Sequence, residues 1–258
     1  MPKTSAAPAW WRRRGWWLPA ALLALWTLSG VFEWVRPLFL PSPLKVAQTT
    51  WARWQDGYLG PDLSTTLGRV AFGFVVGSFL GLLAGIGLGV SRVGERYFSA
   101  TFNAARQVPI PGWVPLLILW FGVGEGSRLA FITIGVFFPV ALNTASGLVG
   151  VSRQYKELGV VYQLSAWERL WRILLPAALP SLKAAALQGL TMAWVSLVAA
   201  ELLTSMSAGL ANQINLGREA FKMDLVYSGV ILIAVFGALS QWGLLKAWDL
   251  TLGRFERR

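Results

Sequence analysis

The chain has 258 residues, of which 55% are hydrophobic and only 14% charged, and its formal net charge is +11. A water-soluble domain of that length needs a larger charged surface, so the composition places the chain in a membrane. The absence of Cys and His excludes disulfides, thiolate metal sites and thiol nucleophiles, and removes the commonest general base. The basic residues sit in short gaps between long apolar runs, a pattern that favours a topological role and argues against nucleic-acid binding.

A helix needs about 20 mostly apolar residues to cross a bilayer. Six uncharged stretches meet or approach this: 15–32, 70–91, 107–124, 129–152, 184–200 and 225–245. The third and fifth extend beyond their uncharged cores, back toward Phe98 and onward through Leu203. The first follows Arg12, Arg13 and Arg14 and reads as a retained anchor rather than a cleaved signal peptide. Its apolar run is long, Trp16, Trp17 and Trp34 flank it, and no clear small-x-small cleavage site follows. Most Lys and Arg fall on one side if the N-terminus is inside, so both termini are expected in the cytoplasm. The layout is then an all-α polytopic membrane protein of six transmembrane helices. It comprises a cytoplasmic tail (1–14), a first transmembrane helix (15–35), an external loop (36–63), a five-helix core (64–248) with a cytoplasmic segment (151–183), and a second tail (249–258).

The second stretch carries Gly73, Gly77, Gly81, Gly85 and Gly89 at four-residue spacing, which puts all five on one helix face. Small residues let backbones approach closely in lipid, either as ordinary helix packing or as a tight or sliding contact with another span or subunit. The third stretch holds Pro109, Pro111 and Pro115, through which no single helix continues smoothly. Carbonyls freed at membrane depth need protein or a water-filled cavity. Arg106 and Gln107 lie just before that break, as lining of a substrate path or, for Arg106, as an interfacial side chain that snorkels.

Residues 151–183 are too long and too patterned for a tight loop. Ser165 and Glu168 fit a capping box, and Trp167, Leu170, Trp171 and Leu174 follow at i, i+3, i+4 and i+7, the spacing of an amphipathic helix. Leu175 precedes Pro176 and is expected to leave the helical region, so that the helix ends or bends there. Upstream, Tyr155, Leu158, Val161 and Tyr162 form a second short apolar stripe, giving helix, turn, helix against the inner membrane surface. Further along, Glu201 sits among apolar residues. It lines the pathway, pairs with a basic residue, or marks the external end of its span.

Glu157, Leu158 and Gly159, then Gln163, then Ile173, Leu175 and Pro176 resemble the E-A-A-x3-G-x9-I-x-L-P motif of ABC importer permeases. In that family the segment forms the coupling helix that docks on the ATP-binding subunit. Leu158 and Gly159 replace the two alanines. Gln163 replaces a glycine at a turn suited to positive φ, so this turn is expected to be built differently. A second block, Arg106-Gln107-Val108-Pro109 with Trp113 to Glu125, is similar to permeases of the nitrate, sulfonate and taurine group. So are Phe137-Phe138-Pro139 with Asn143-Thr144, Leu40 to Pro43, and Leu174 to Ser181.

The resemblance implies a type I ABC importer permease fold and a homodimer in the bacterial inner membrane. It also implies two ATP-binding subunits, a substrate-binding protein that supplies most of the selectivity, and transport of a small anionic solute such as an aliphatic sulfonate, taurine or nitrate. The chain has no phosphate-cradling Gly-rich loop ending in Lys-Ser/Thr, so it is expected to hold no cofactor, with ATP and Mg bound by the partner. A self-sufficient secondary transporter would need intramembrane ionisable residues and paired repeats. An intramembrane enzyme would need an Asp pair or a Ser-Lys arrangement. Only Glu201 answers to the first, and nothing to the second.

Overall fold

The computed structural model describes residues 17–90, 92–203 and 208–253. The tail residues Lys3, Arg12, Arg13, Arg14, Arg254, Arg257 and Arg258, on which much of the orientation reading rests, lie outside them. Every regular element among the described residues is helical. The chain divides into two compact units, one formed by 1–60 and 213–230, the other by 61–212 and 231–258.

In the first unit, α1 (Trp17–Val31) is followed by α2 (Pro43–Gln55). Ser42 caps α2 by accepting from the Lys45 amide, and Pro43 occupies the first turn, where a missing N–H costs nothing. The Trp26 indole donates to the Pro41 carbonyl at 2.9 Å.

The second unit is built around three long helices. α3 (Leu59–Val90) begins inside the stretch expected as external loop. One face is buried at intervals of three or four residues: Asp62, Thr66 and Val70, then Gly73, Gly77, Gly81 and Gly85. A Cβ at Gly77 would lie 2.7 Å from the Thr133 carbonyl oxygen, one at Gly81 2.8 Å from that of Phe137, and one at Gly85 2.6 Å from that of Ala141. The glycine train therefore lets α3 press backbone to backbone against a span of its own chain.

The third apolar stretch is not one helix. α4 (Arg92–Gln107) ends at the prolines, and Pro109 is extended at ψ 137°. A 3-10 turn covers Ile110–Trp113 before α5 (Val114–Phe121) begins, with Pro115 in its first turn. α6 (Glu125–Val149) carries Pro139 within it. The Asn143 amide donates to the Pro139 carbonyl at 2.8 Å and to Gln188 Oε1 at 2.7 Å.

A short helix α7 (Arg153–Val161) and the one-turn α8 (Ala166–Arg169) lead through a π-helical turn, Leu170–Leu174. Next come the three-residue α9 (Leu175–Ala177) and the long α10 (Leu179–Leu203). α11 (Leu210–Glu219) precedes α12 (Met223–Thr251). Val70 of α3, Ile132, Val136 and Val140 of α6, and Ala185, Leu190, Ala193, Trp194 and Leu197 of α10 form the apolar core.

Among the described residues, four helices, α3, α6, α10 and α12, are long and apolar enough to cross a membrane. Two of the six expected spans differ. α1 has 15 residues, and the third stretch is interrupted by the extended Pro109 and the 3-10 turn, as its prolines require.

Candidate functional site

Three places in the second unit collect the residues singled out from the sequence. The first is the segment from α7 to α9. Gln163 adopts φ +51°, the left-handed geometry that the motif's glycine would take. The Leu164 amide donates to the Gly159 carbonyl at 3.0 Å and the Gln163 amide to that of Val160 at 2.9 Å, the paired bonds of a Schellman C-cap. The turn is thus built in the ordinary way, with Gln in the glycine position. This corrects the expectation of a different turn: two cap hydrogen bonds outweigh the backbone strain of one non-glycine residue.

The capping box is present. The Glu168 amide donates to Ser165 Oγ at 3.2 Å, and the Ser165 amide donates to Glu168 Oε2 at 3.1 Å. Hydrogen bonds from the Ser165 side chain and backbone, with Arg172 nearby, hold the Glu168 carboxyl below the usual carboxylate range. The cap is therefore intact above the ordinary carboxylate pKa and is lost as pH falls through the lowered one.

Leu175 does not leave the helical region. It keeps φ −64° and ψ −46°, contrary to the expectation drawn from Pro176. The preceding turn has widened instead: the Leu175 amide reaches back five residues to the Leu170 carbonyl. A π turn makes room for a proline ring that would strike the carbonyl of an α-helix.

The predicted amphipathic stripe divides. Leu170 and Leu174 are buried with Leu148, Val151, Leu175 and Ala178. Trp167 and Trp171 are exposed and meet edge to face at 5.4 Å. The other stripe, Tyr155, Leu158, Val161 and Tyr162, is also exposed. Gly159 is buried where α7 crosses the second helix, and a Cβ there would meet Arg169 Cδ at 3.0 Å. Glu157 is exposed and accepts from Arg153 Nε at 2.7 Å. A groove of about 330 Å³ runs between the two arms, lined by Tyr155, Leu158, Arg172, Ile173, Pro176 and Ala177 among others.

The second place is a cavity of about 310 Å³ where the α4 end and the 3-10 turn face α6 and α10. Arg106 and Gln107 line it with Trp113, Phe138, Gln188 and Met192. One cation, two amides and an apolar wall can hold an anion that carries an organic part.

Glu201 belongs to neither place. It lies at the far end of α10, in a buried ion network that the sequence reading missed. Arg69, 4% exposed, donates from Nη1 to Glu201 Oε1 at 2.7 Å, and Glu201 itself is 1% exposed. The same guanidinium grips Glu125 with two parallel bonds of 2.7 Å, Nε to Oε1 and Nη2 to Oε2, a strong bidentate geometry. Glu125 is 50% exposed and also meets Arg128 at 3.3 Å. The Ala211 amide donates to Glu201 Oε2 at 2.9 Å, the Leu210 amide to Thr66 and the Gly209 amide to Asp62, each at 2.9 Å. A Cβ at Gly209 would lie 2.6 Å from both Glu201 oxygens, so glycine makes the space for that carboxylate. The network ties together the N-terminal ends of α3, α6 and α11 and the C-terminal end of α10. The signal was available: Asp62, Thr66 and Arg69 continue the glycine face of α3.

Long apolar helices with close-packed glycines and a proline-broken element beside a cavity fit a membrane permease. Residues 77–244 match the family described as "Binding-protein-dependent transport system inner membrane component", and the chain belongs to that family. It is 35% identical over 233 residues to a Bacillus subtilis protein described as an aliphatic sulfonates transport permease, SsuC, a match covering 89% of this chain and 84% of that one. It is 29% identical to the taurine transport system permease protein TauC of Escherichia coli, over 87% of this chain and 83% of the relative. It is also 29% identical to the nitrate import permease protein NrtB of a Synechocystis strain, over 71% and 69%. An inward-facing structure of the MetNI methionine ABC transporter shares the fold, with a TM-score of 0.57 and 19% identity over 78% of this chain and 95% of that one. The chain is the inner-membrane permease subunit of an ATP-binding-cassette importer, works with an ATP-binding subunit and a substrate-binding protein, and is not itself an enzyme.

Proposed function

We propose that this permease passes a small organic anion of the aliphatic sulfonate or taurine kind, delivered by its binding protein, through the cavity beside Arg106 and Gln107. The cavity carries the reading: Arg106 offers a charge-assisted hydrogen bond to an anionic head, and Trp113, Phe138 and Met192 offer an apolar wall to a short carbon chain. The relatives that carry sulfonates and taurine support the same class of solute. Two copies of the chain would pair around the pathway, each spanning six times with both termini in the cytoplasm, α1 and the α4–α5 stretch completing the four long spans. Glu201 then serves the ion network rather than the pathway.

The segment with Glu157, Leu158, Gly159, Gln163, Ile173, Leu175 and Pro176 docks on the ATPase, whose sites hold ATP and Mg. Its exposed aromatics and open groove support that role. Its buried leucines sit on Leu148 at the end of α6 and on Ile86 of α3, and its helix runs into α10. Motion of the hairpin therefore moves spans rather than a loose loop. α10, with 25 residues, is a rod of about 37 Å that leads from the hairpin to the ion network, so the three spans shift as one body when the ATPases close.

Reconstituted with its ATPase and binding protein, the wild-type permease takes up a short alkanesulfonate in an ATP-dependent manner. Arg106→Gln lowers that uptake at least tenfold, the loss of about 1.4 kcal/mol or more expected for a charge-assisted bond. Unchanged uptake by the variant would remove Arg106 from the pathway.

A further inference from the structure

Helix α2 presents three distinct faces. The first faces the start of α12: Val46 is buried, Thr49 donates to the Asp224 carboxylate, and the Thr50 and Ser228 hydroxyls share a hydrogen bond of 2.7 Å. The second holds Lys45, Gln48, Ala52 and Gln55, all exposed. The third holds Leu44, Ala47, Trp51 and Trp54, with Tyr58 just past the helix end. These recur at i, i+3, i+7, i+10 and i+14, and the four large side chains are each more than half exposed. At 3.6 residues per turn the apolar stripe is centred about 100° from the polar one. A contiguous stripe of exposed apolar side chains marks a surface that something covers.

We propose that lipid covers it: α2 lies along the membrane–water boundary, with Leu44, Ala47, Trp51 and Trp54 in the headgroup and upper acyl region and Lys45, Gln48 and Gln55 in water. Two observations favour lipid over protein. The stripe is dominated by Trp and Tyr, which collect at this depth because their rings are apolar and their N–H and O–H tips polar. Its own unit also carries further aromatic and apolar side chains near the helix ends. Trp26 of α1 lies 6.0 Å from Tyr227, and the exposed Val230 follows on α12. Phe32 and Trp34 stack at 5.7 Å just beyond α1 and are likewise exposed. A helix split into apolar-aromatic and Lys/Gln faces is the pattern of an element lying in the interface plane. α2 thus anchors the connection between α1 and α3 to the bilayer and buttresses the first turns of α12.

The absence of Cys in the chain makes the test direct. Leu44→Cys, Ala47→Cys, Lys45→Cys and Gln48→Cys variants of the full-length permease are spin-labelled and placed in phosphatidylethanolamine–phosphatidylglycerol nanodiscs. Relative to positions 45 and 48, labels at 44 and 47 should be several-fold more accessible to oxygen and several-fold less accessible to a water-soluble nickel chelate. Equal accessibility at all four positions would overturn the proposal. So would protection of 44 and 47 only when the binding protein is added, or dipolar broadening between copies, which assign the face to a protein. As a check independent of labelling, Trp51→Asp should lower the melting temperature in nanodiscs more than Gln48→Asp, and equal effects would contradict lipid burial.

Discussion

Gln163 holds a left-handed conformation that costs an L-residue about 1–2 kcal/mol relative to glycine. Gln163→Gly removes that strain but loosens the unfolded chain by about 0.5–1 kcal/mol, so a net gain of up to about 1.5 kcal/mol is expected. Gln163→Val, β-branched at the same φ, should lose stability. Limited proteolysis between Val161 and Ser165 reads both, with slower cutting in the first and faster in the second. Arg69 is the opposite case, a residue that the structure leaves no freedom to change. Removing it strands the buried Glu201 carboxylate, and breaking a buried pair costs about 3–5 kcal/mol. Arg69→Met should therefore lower the thermal unfolding temperature sharply. Adding Glu201→Gln to it should restore part of the loss, because the uncompensated charge is gone; a double variant no better than the single would show that the two do not act as a pair. The sequence left Glu201 open among three roles because the choice depended on Arg69 and Glu125, 132 and 76 positions away, which only tertiary packing brings together.

At the scale of helices, the glycine train distinguishes positions that look alike in the sequence. Gly81→Leu drives a side chain into the Phe137 carbonyl and should abolish a stable fold or shift the α3–α6 packing. Gly87, beside the train, has nothing within 4 Å of a would-be Cβ. Gly87→Ala should stabilise α3 by about 0.5–1 kcal/mol, the ordinary helix preference for Ala. Melting temperatures of the two variants in detergent check both, and similar destabilisation would mean the helices pack differently. Four-residue spacing made the shared face readable, but not which surface it meets. The same limit appears in the hairpin. The capping box was legible because it needs only Ser165 and Glu168, three residues apart. The π turn was not, because it arises where Leu170 and Leu174 must reach the Leu148 cluster while Pro176 is accommodated. The proline rule at Leu175 failed for that reason: a widened turn answered the clash that would otherwise have ended the helix.

For the whole molecule, the long apolar runs made the membrane class readable and the spaced motif made the family readable. The span count was less secure, since α1 is short and prolines divide the third stretch. In the proposed mechanism the α7–α9 segment transmits ATPase motion to α3, α6 and α10. Glu157 and Leu158 are exposed, and the Arg153–Glu157 pair at the surface is worth about 1 kcal/mol or less. Glu157→Lys and Leu158→Asp should therefore leave folding and insertion intact, which makes them clean tests of docking. The most direct measurement is ATP-driven solute uptake by the reconstituted importer carrying each variant, with the permease in wild-type amounts and at its wild-type melting temperature. The account predicts that uptake is abolished in both. Normal uptake in both would contradict it and free the Glu157–Pro176 segment from any part in coupling.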